Sequence, residues 1–202
     1  MVKGVAINDA DYAVQKKEMT VDEFGKKRLK LVWCCPFYRR WSLMLERCYS
    51  VNPNNKRKSY KGCTVCEEWL IFSNFKAWME TQDWEGKCLD KDLLVSGNRT
   101  YSPETCIFIS RELNSFLTDR ASLRGRWPLG VDIRKNTGKF RASCSNPFTL
   151  KQEHLGVFDS PEDAHNAWLS RKREFAKVLA EGEDTLIAEA LIKRYEDYKT
   201  TK

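Results

Sequence analysis

Gly130-Val131-Asp132-Ile133-Arg134, Lys135-Asn136-Thr137-Gly138 and Lys139-Phe140-Arg141-Ala142-Ser143-Cys144-Ser145 form the run whose reading decides the fold. An extended segment, a turn carried by Asn136 and Gly138, and a second extended segment that alternates polar and apolar residues read as a β-hairpin. Asn146 and Pro147 turn the chain again, and Leu150 to Phe158 supplies a third strand. Asp159 or Ser160 then serves as a helix N-cap, with Pro161 at the favoured first position and Glu162 and Asp163 complementing the helix dipole. Ala164, Ala167, Trp168, Phe175, Val178 and Leu179 put one helical face on the sheet, and His165 reads as a solvent-side residue. Residues 127–181 are therefore expected to form a three-stranded antiparallel sheet packed on one helix, followed by a C-terminal helix over 182–202.

Upstream, Thr118 to Arg126 is polar, basic and glycine-containing, so residues 118–126 read as a linker. Before it, Tyr38, Trp41, Met44, Leu45 and Cys48 recur at helical spacing between charged residues, which predicts an amphipathic helix over Phe37 to Tyr49. A second helix is expected within Tyr60 to Met79, two short strands at Leu89–Leu94 and Cys106–Ile109, and a third helix from Ser110 to Leu117. Residues 31–117 thus read as one small mixed domain, and the fold class as α+β. Residues 1–30, a mixed-charge run with few large apolar side chains, read as a flexible basic and acidic arm.

The chain carries 35 Lys and Arg against 28 Asp and Glu, a net of +7, and this balance favours a polyanionic partner through phosphate contact and counterion release. The excess is concentrated: Arg120 to Phe158 holds eight Lys or Arg against only Asp132 and Glu153. No stretch approaches the ~18 apolar residues that span a bilayer, and the first thirty residues are unlike a signal peptide. A cytoplasmic protein without a membrane partner is expected, in which cysteines are free thiols or metal ligands rather than disulfides. Nothing in the sequence marks a protein partner.

Gly130 to Arg134, Gly138 to Ala142, His154-Leu155-Gly156-Val157-Phe158-Asp159 and Glu162-Asp163-Ala164 together resemble the AP2 domain in order and spacing. The resemblance implies a module that binds double-stranded DNA through the free face of its sheet, and a β-ribbon does fit a major groove ~12 Å wide. By strand alternation Arg134, Lys139 and Arg141 are candidates for base-edge or phosphate contacts, with Arg126, Trp127, Lys135 and Lys151 at the rim. The AP2 family has no catalytic role, so His154 reads as structural or phosphate-facing.

Trp41-Ser-Leu-Met-Leu-Glu-Arg-Cys-Tyr49, Tyr60 to Trp69, Leu89-Asp90-Lys91-Asp92, Gly97-Asn98 and Tyr101-Ser-Pro-Glu-Thr-Cys106 resemble bacteriophage proteins described as HNH-like or homing endonucleases, which often end in an AP2 module. This implies a hydrolase with a ββα cutting domain and a DNA-reading domain, acting in the cytoplasm of an infected bacterial host. An HNH site pairs a divalent metal with a His general base. Here no histidine precedes His154, and Asp90-Lys91 stands where Asp-His is expected. Two readings follow. Asp90, Asp92 and Glu104 could hold Mg²⁺ with Lys91 as base or charge stabiliser, or the fold could persist as a catalytically inactive DNA-binding or host-modulating factor. Cys63 and Cys66 form a C-x₂-C knuckle, with Cys88 and Cys106 further on; four thiolates of this kind could hold structural Zn²⁺, or the cysteines could simply pack beneath aromatic residues.

Overall fold

The computed structural model describes residues 1–50, 60–118 and 127–198. The fold is α+β, and the chain divides into two compact units, Met1–Phe108 and Ile109–Lys202.

In the first unit, β1 (Gln15–Val21) and β2 (Lys27–Cys34) pair antiparallel, and α1 (Pro36–Tyr49) follows with Pro36 in its first turn, where the missing N–H costs nothing. Trp41, Met44 and Leu45 of α1 face inward at the spacing its sequence predicts. They meet Phe72, Phe75 and Met79 of α2 (Phe72–Glu80) in one core, and Trp41 donates its indole N–H to the Trp69 carbonyl at 2.7 Å. Around this core run two small pairings, β3 (Thr64–Val65) parallel to β5 (Thr100–Tyr101), and β4 (Cys88–Asp90) beside β6 (Ile107–Ile109).

Residues 1–30 differ from the arm read in the sequence. Ala6 is fully buried, and Ile7 links to the other side of the core through Ile7 N–H to the Leu70 carbonyl at 2.8 Å and Phe72 N–H to the Ile7 carbonyl at 3.0 Å. Beyond them the chain forms the β1–β2 hairpin. The strand pattern was hidden because Lys16, Lys17, Glu18, Lys27, Arg28 and Lys30 lie among the apolar positions of both strands and lower the mean hydropathy of the segment.

The second unit starts with α3 (Arg111–Leu117), capped by Ser110, whose hydroxyl accepts from Leu113 N–H at 3.0 Å. Its Phe116 packs on Tyr195 with ring centroids 5.4 Å apart, so this helix, read from the sequence as part of the preceding domain, belongs by its contacts to the second unit. Then come β7 (Val131–Ile133), β8 (Phe140–Ser145) and β9 (Gln152–Phe158), an antiparallel sheet in that order, covered on one face by α4 (Pro161–Ala180). Ser160 caps α4 by accepting from Asp163 N–H at 3.0 Å. The last helix, α5 (Thr185–Glu196), packs on α4.

Two expectations for α4 are corrected. His165 is 2% exposed rather than solvent-side, because its Nδ1 lies 2.9 Å from the Leu129 carbonyl and its ring stacks on Trp168. Val178, assigned to the inner face, is exposed. Lys172 takes a place on the buried face instead, where its ammonium donates to the Phe116 carbonyl at 2.7 Å and sits 3.5 Å from the Phe116 ring centroid.

Candidate nucleic-acid interface

The β7–β8–β9 sheet turns its other face away from α4, and strand register decides what that face carries. Asp132 pairs with Arg141, Arg141 with Val157, Ser143 with His154 and Ser145 with Gln152, so these residues share the outer face. A bulge between Ala142 and Ser143, opposite Gly156 with φ +139, shifts the phase of β9 and brings His154 and Gln152 outward. Sequence reasoning singled out the cations and read His154 as structural or phosphate-facing, but did not select Ser143 or Gln152; alternation from Arg141 finds Ser143, and a mid-strand glycine signals the bulge.

Arg134 continues the outer row of β7 as the first residue of a tight turn, in which Gly138 N–H donates to the Arg134 carbonyl and Arg134 N–H to the Lys139 carbonyl, both at 2.8 Å. Arg134, Asp132, Arg141, Ser143, Gln152, Glu153 and His154 line a shallow cleft of about 370 Å³. Arg134, Lys135 and Lys151 are exposed, with no polar side-chain partner among the described residues. Arg141 is engaged: its Nε and Nη2 both donate to Asp132 Oδ2 at 3.0 Å. Lys139 pairs with Asp159 at 2.9 Å. Both pairs are solvent-accessible, so each is held weakly enough for a phosphate or base edge to displace the acid.

Glu153 does not oppose an anion on this face. It leans to the helix side, where Arg171 donates to it at 2.8 and 3.3 Å and Asn146 at 2.5 Å. The Arg171 hydrogen bond, then that of Asn146, holds its carboxyl below the usual range, so it stays a satisfied anion. Trp127, read as a rim residue, packs edge-on against Phe140 at 4.8 Å with the core on the helix side of the sheet. Arg126 and most of the linker lie outside the described residues.

The Asp90–Asn98 loop of the first unit has a different character. Asp90 Oδ1 accepts from Asp92 N–H at 2.8 Å and from Leu93 N–H at 2.7 Å, which folds the loop back on its own carboxylate. Lys91 is buried, donating to Asp92 Oδ1 at 2.6 Å and to the Asn98 carbonyl at 2.8 Å. Asn98 completes the link, with its amide donating to the Lys91 and Thr100 carbonyls at 2.8 and 2.7 Å. Glu104 is exposed and hydrogen-bonded to Ser102, which lowers its pKa. Asp90, Lys91 and Asp92 therefore come together as a loop lock whose donors and acceptors satisfy one another.

Among the described residues no three of His, Cys, Asp and Glu converge to hold a metal ion. That geometry lends no support to the Mg²⁺ set of Asp90, Asp92 and Glu104 or to the Zn²⁺ set of Cys63, Cys66, Cys88 and Cys106. Burial pushes the Cys106 thiol up to about 12 and raises that of Cys66, so a metal would have to displace a proton from each.

The chain is similar to the ethylene-responsive transcription factor ERF116 of Arabidopsis thaliana, 29% identical over 85 residues that make up 41% of this chain and 29% of the plant protein. That similarity supports an AP2-like domain here, while the chain spans well under half the length of this relative. No family model matches. No solved structure matches. Among the described residues no helix is long and apolar enough to cross a membrane.

Proposed function

We propose that this protein binds double-stranded DNA with sequence preference, laying the outer face of β7–β9 in the major groove. The observation that carries this reading is the face itself: Arg134 and Arg141 at its centre, Lys135, Lys139 and Lys151 around them, hydrogen-bonding Ser143, Gln152 and His154 beside them, and one acid, Asp132, already paired. An arginine fork matches guanine O6 and N7, while lysines suit phosphates, so position and specificity are divided between the two residue types. The plant relative is named a transcription factor, and this supports a DNA partner.

The resemblance of residues 41–116 to phage endonucleases adds strand cleavage in an infected bacterium as a second reading. We adopt binding without cleavage by the Asp90 loop. Lys91 is held between Asp92 and the Asn98 carbonyl and would have to break both contacts before it could reach a phosphate.

Both readings meet one experiment. Purified protein is incubated with a pool of random duplexes in EDTA and in Mg²⁺ or Mn²⁺, retained DNA is sequenced, and its ends are mapped on denaturing gels. Binding predicts an enriched sequence, intact strands, and a log–log salt slope of about −4.5 if the five sheet cations each release counterions. Discrete metal-dependent ends would replace it with the endonuclease reading. Absence of retention even at low salt would remove DNA binding altogether.

A further inference from the structure

The β1–β2 hairpin is exposed on both faces, and one of them is apolar. Register places Lys17 opposite Leu31, Met19 opposite Leu29 and Val21 opposite Lys27 on that face, and Lys16 opposite Trp33, Glu18 opposite Lys30 and Thr20 opposite Arg28 on the other. The first is thus an apolar strip of Met19, Val21, Leu29 and Leu31, each exposed, bordered by Lys17 and Lys27. The second carries Lys16, Glu18, Thr20, Arg28 and Lys30 and, at its base, the exposed Trp33, over whose ring Lys16 Nζ lies at 5.9 Å.

A lone two-stranded ribbon is marginal in water, yet this one is held at both ends. At the base, Cys35 N–H donates to the Val14 carbonyl at 2.9 Å. At the tip, Asp22 Oδ1 accepts from Phe24 N–H at 3.1 Å and from Lys26 N–H at 2.9 Å, while Gly25 takes φ +74. Asp22 also pairs with Arg28 at 3.3 Å, so this acid is used within the turn. The turn presents Phe24, 87% exposed, at the end of a ribbon about 23 Å long, immediately before Lys26 and Lys27. Gln15 to Cys34 holds six Lys and Arg against three acids, a net of +3.

An exposed aromatic on a rigid tip, an apolar strip and flanking cations fit one polyanion well. The minor groove of DNA has apolar sugar walls between rows of phosphates, and apolar wedges entering it unstack a base step and bend the duplex. We propose that the β1–β2 hairpin is a second DNA-contacting element: its Met19–Val21–Leu29–Leu31 strip lies against the minor groove, Lys17 and Lys27 meet phosphates, and Phe24 wedges into a base step. This rests on the DNA-binding reading above but uses residues on a different unit from the sheet.

The test uses full-length protein and the duplex selected above, end-labelled for energy transfer. Wild type should shorten the end-to-end distance on binding. Phe24→Ala should abolish most of that shortening and weaken binding about tenfold, the order expected when one unstacking wedge is lost, whereas Phe24→Trp should retain it. Lys17→Gln with Lys27→Gln should reduce the salt slope by about 2 while leaving the sequence preference unchanged. Wild-type binding with an unchanged bend in Phe24→Ala and an unchanged slope in the lysine variant would overturn the proposal and leave the sheet reading intact. If wild type binds no duplex, the sheet reading fails first and the hairpin role with it. Phe24-dependent sedimentation with phosphatidylserine vesicles, or Phe24-dependent self-association, in a protein that does not bend DNA would assign the strip to another occupant and also overturn it.

Discussion

Gly130→Ala is expected to destabilise the second unit by roughly 3–5 kcal/mol, lowering its thermal midpoint by roughly 12–20 °C at ~4 °C per kcal/mol. Two causes act together. Gly130 has φ +76, a conformation that strains any residue with a Cβ by ~1–3 kcal/mol. A Cβ there would also lie 2.1 Å from both Cγ and Cδ1 of Trp168, well inside contact distance. Trp168 cannot retreat easily, since it is 5% exposed and stacked on His165, so relief requires the sheet and α4 to separate. Overpacking of this kind adds ~1–3 kcal/mol. Thermal or urea unfolding followed by circular dichroism reads the effect; an unchanged midpoint would show that Trp168 does not lie over Gly130 and that the helix is placed wrongly on the sheet.

The largest functional effect is expected from Arg134→Ala combined with Arg141→Ala. If either arginine makes a bidentate guanine contact, its loss costs ~1–3 kcal/mol, a factor of about five to over a hundred in specific affinity. The two are not equivalent. Arg134 has no side-chain partner among the described residues, whereas Arg141 would first have to leave Asp132 to meet a base. The Asp132 pair is exposed and worth at most ~1 kcal/mol, so it trims the Arg141 contribution without cancelling it. The double variant should bind the selected duplex and random duplex almost equally, and competition on filters reads that ratio. An unchanged ratio would remove the sheet face as the source of specificity.

Much of the second unit was legible in its sequence because its signals are local. Gly138 marks a turn, Ser160 and Pro161 mark a helix start, and alternation from Val131 onward separates core from surface. What was not legible depends on partners distant in the chain. The charge on Lys172 reads as solvent-facing, although Trp168, Lys172 and Phe175 share the helical stripe that the core demands; the Phe116 carbonyl that accepts its proton lies 56 residues away. Lys91 was read as a reactive group for the same reason. Its confinement depends on Asn98, whose side chain closes the loop, and nothing in Asp90-Lys91-Asp92 alone announces that. The cysteines show another limit: Cys63-x₂-Cys66 has zinc-like spacing, but spacing says nothing of whether Cys88 and Cys106 converge on it. The pairing of Arg141 with Asp132 needed the hairpin register, which follows from the turn length and only then shows which cation is engaged.

Methylation interference at guanine N7 tests the central claim most directly, because N7 lies in the major groove where the β7–β9 face is placed. The selected duplex is sparingly methylated, bound, and the retained strands are cleaved at modified guanines. Wild-type protein should reject strands methylated at one or two specific guanines, and Arg134→Ala should tolerate methylation at one of them. Binding by wild type that is indifferent to N7 methylation at every guanine would contradict major-groove reading by this sheet.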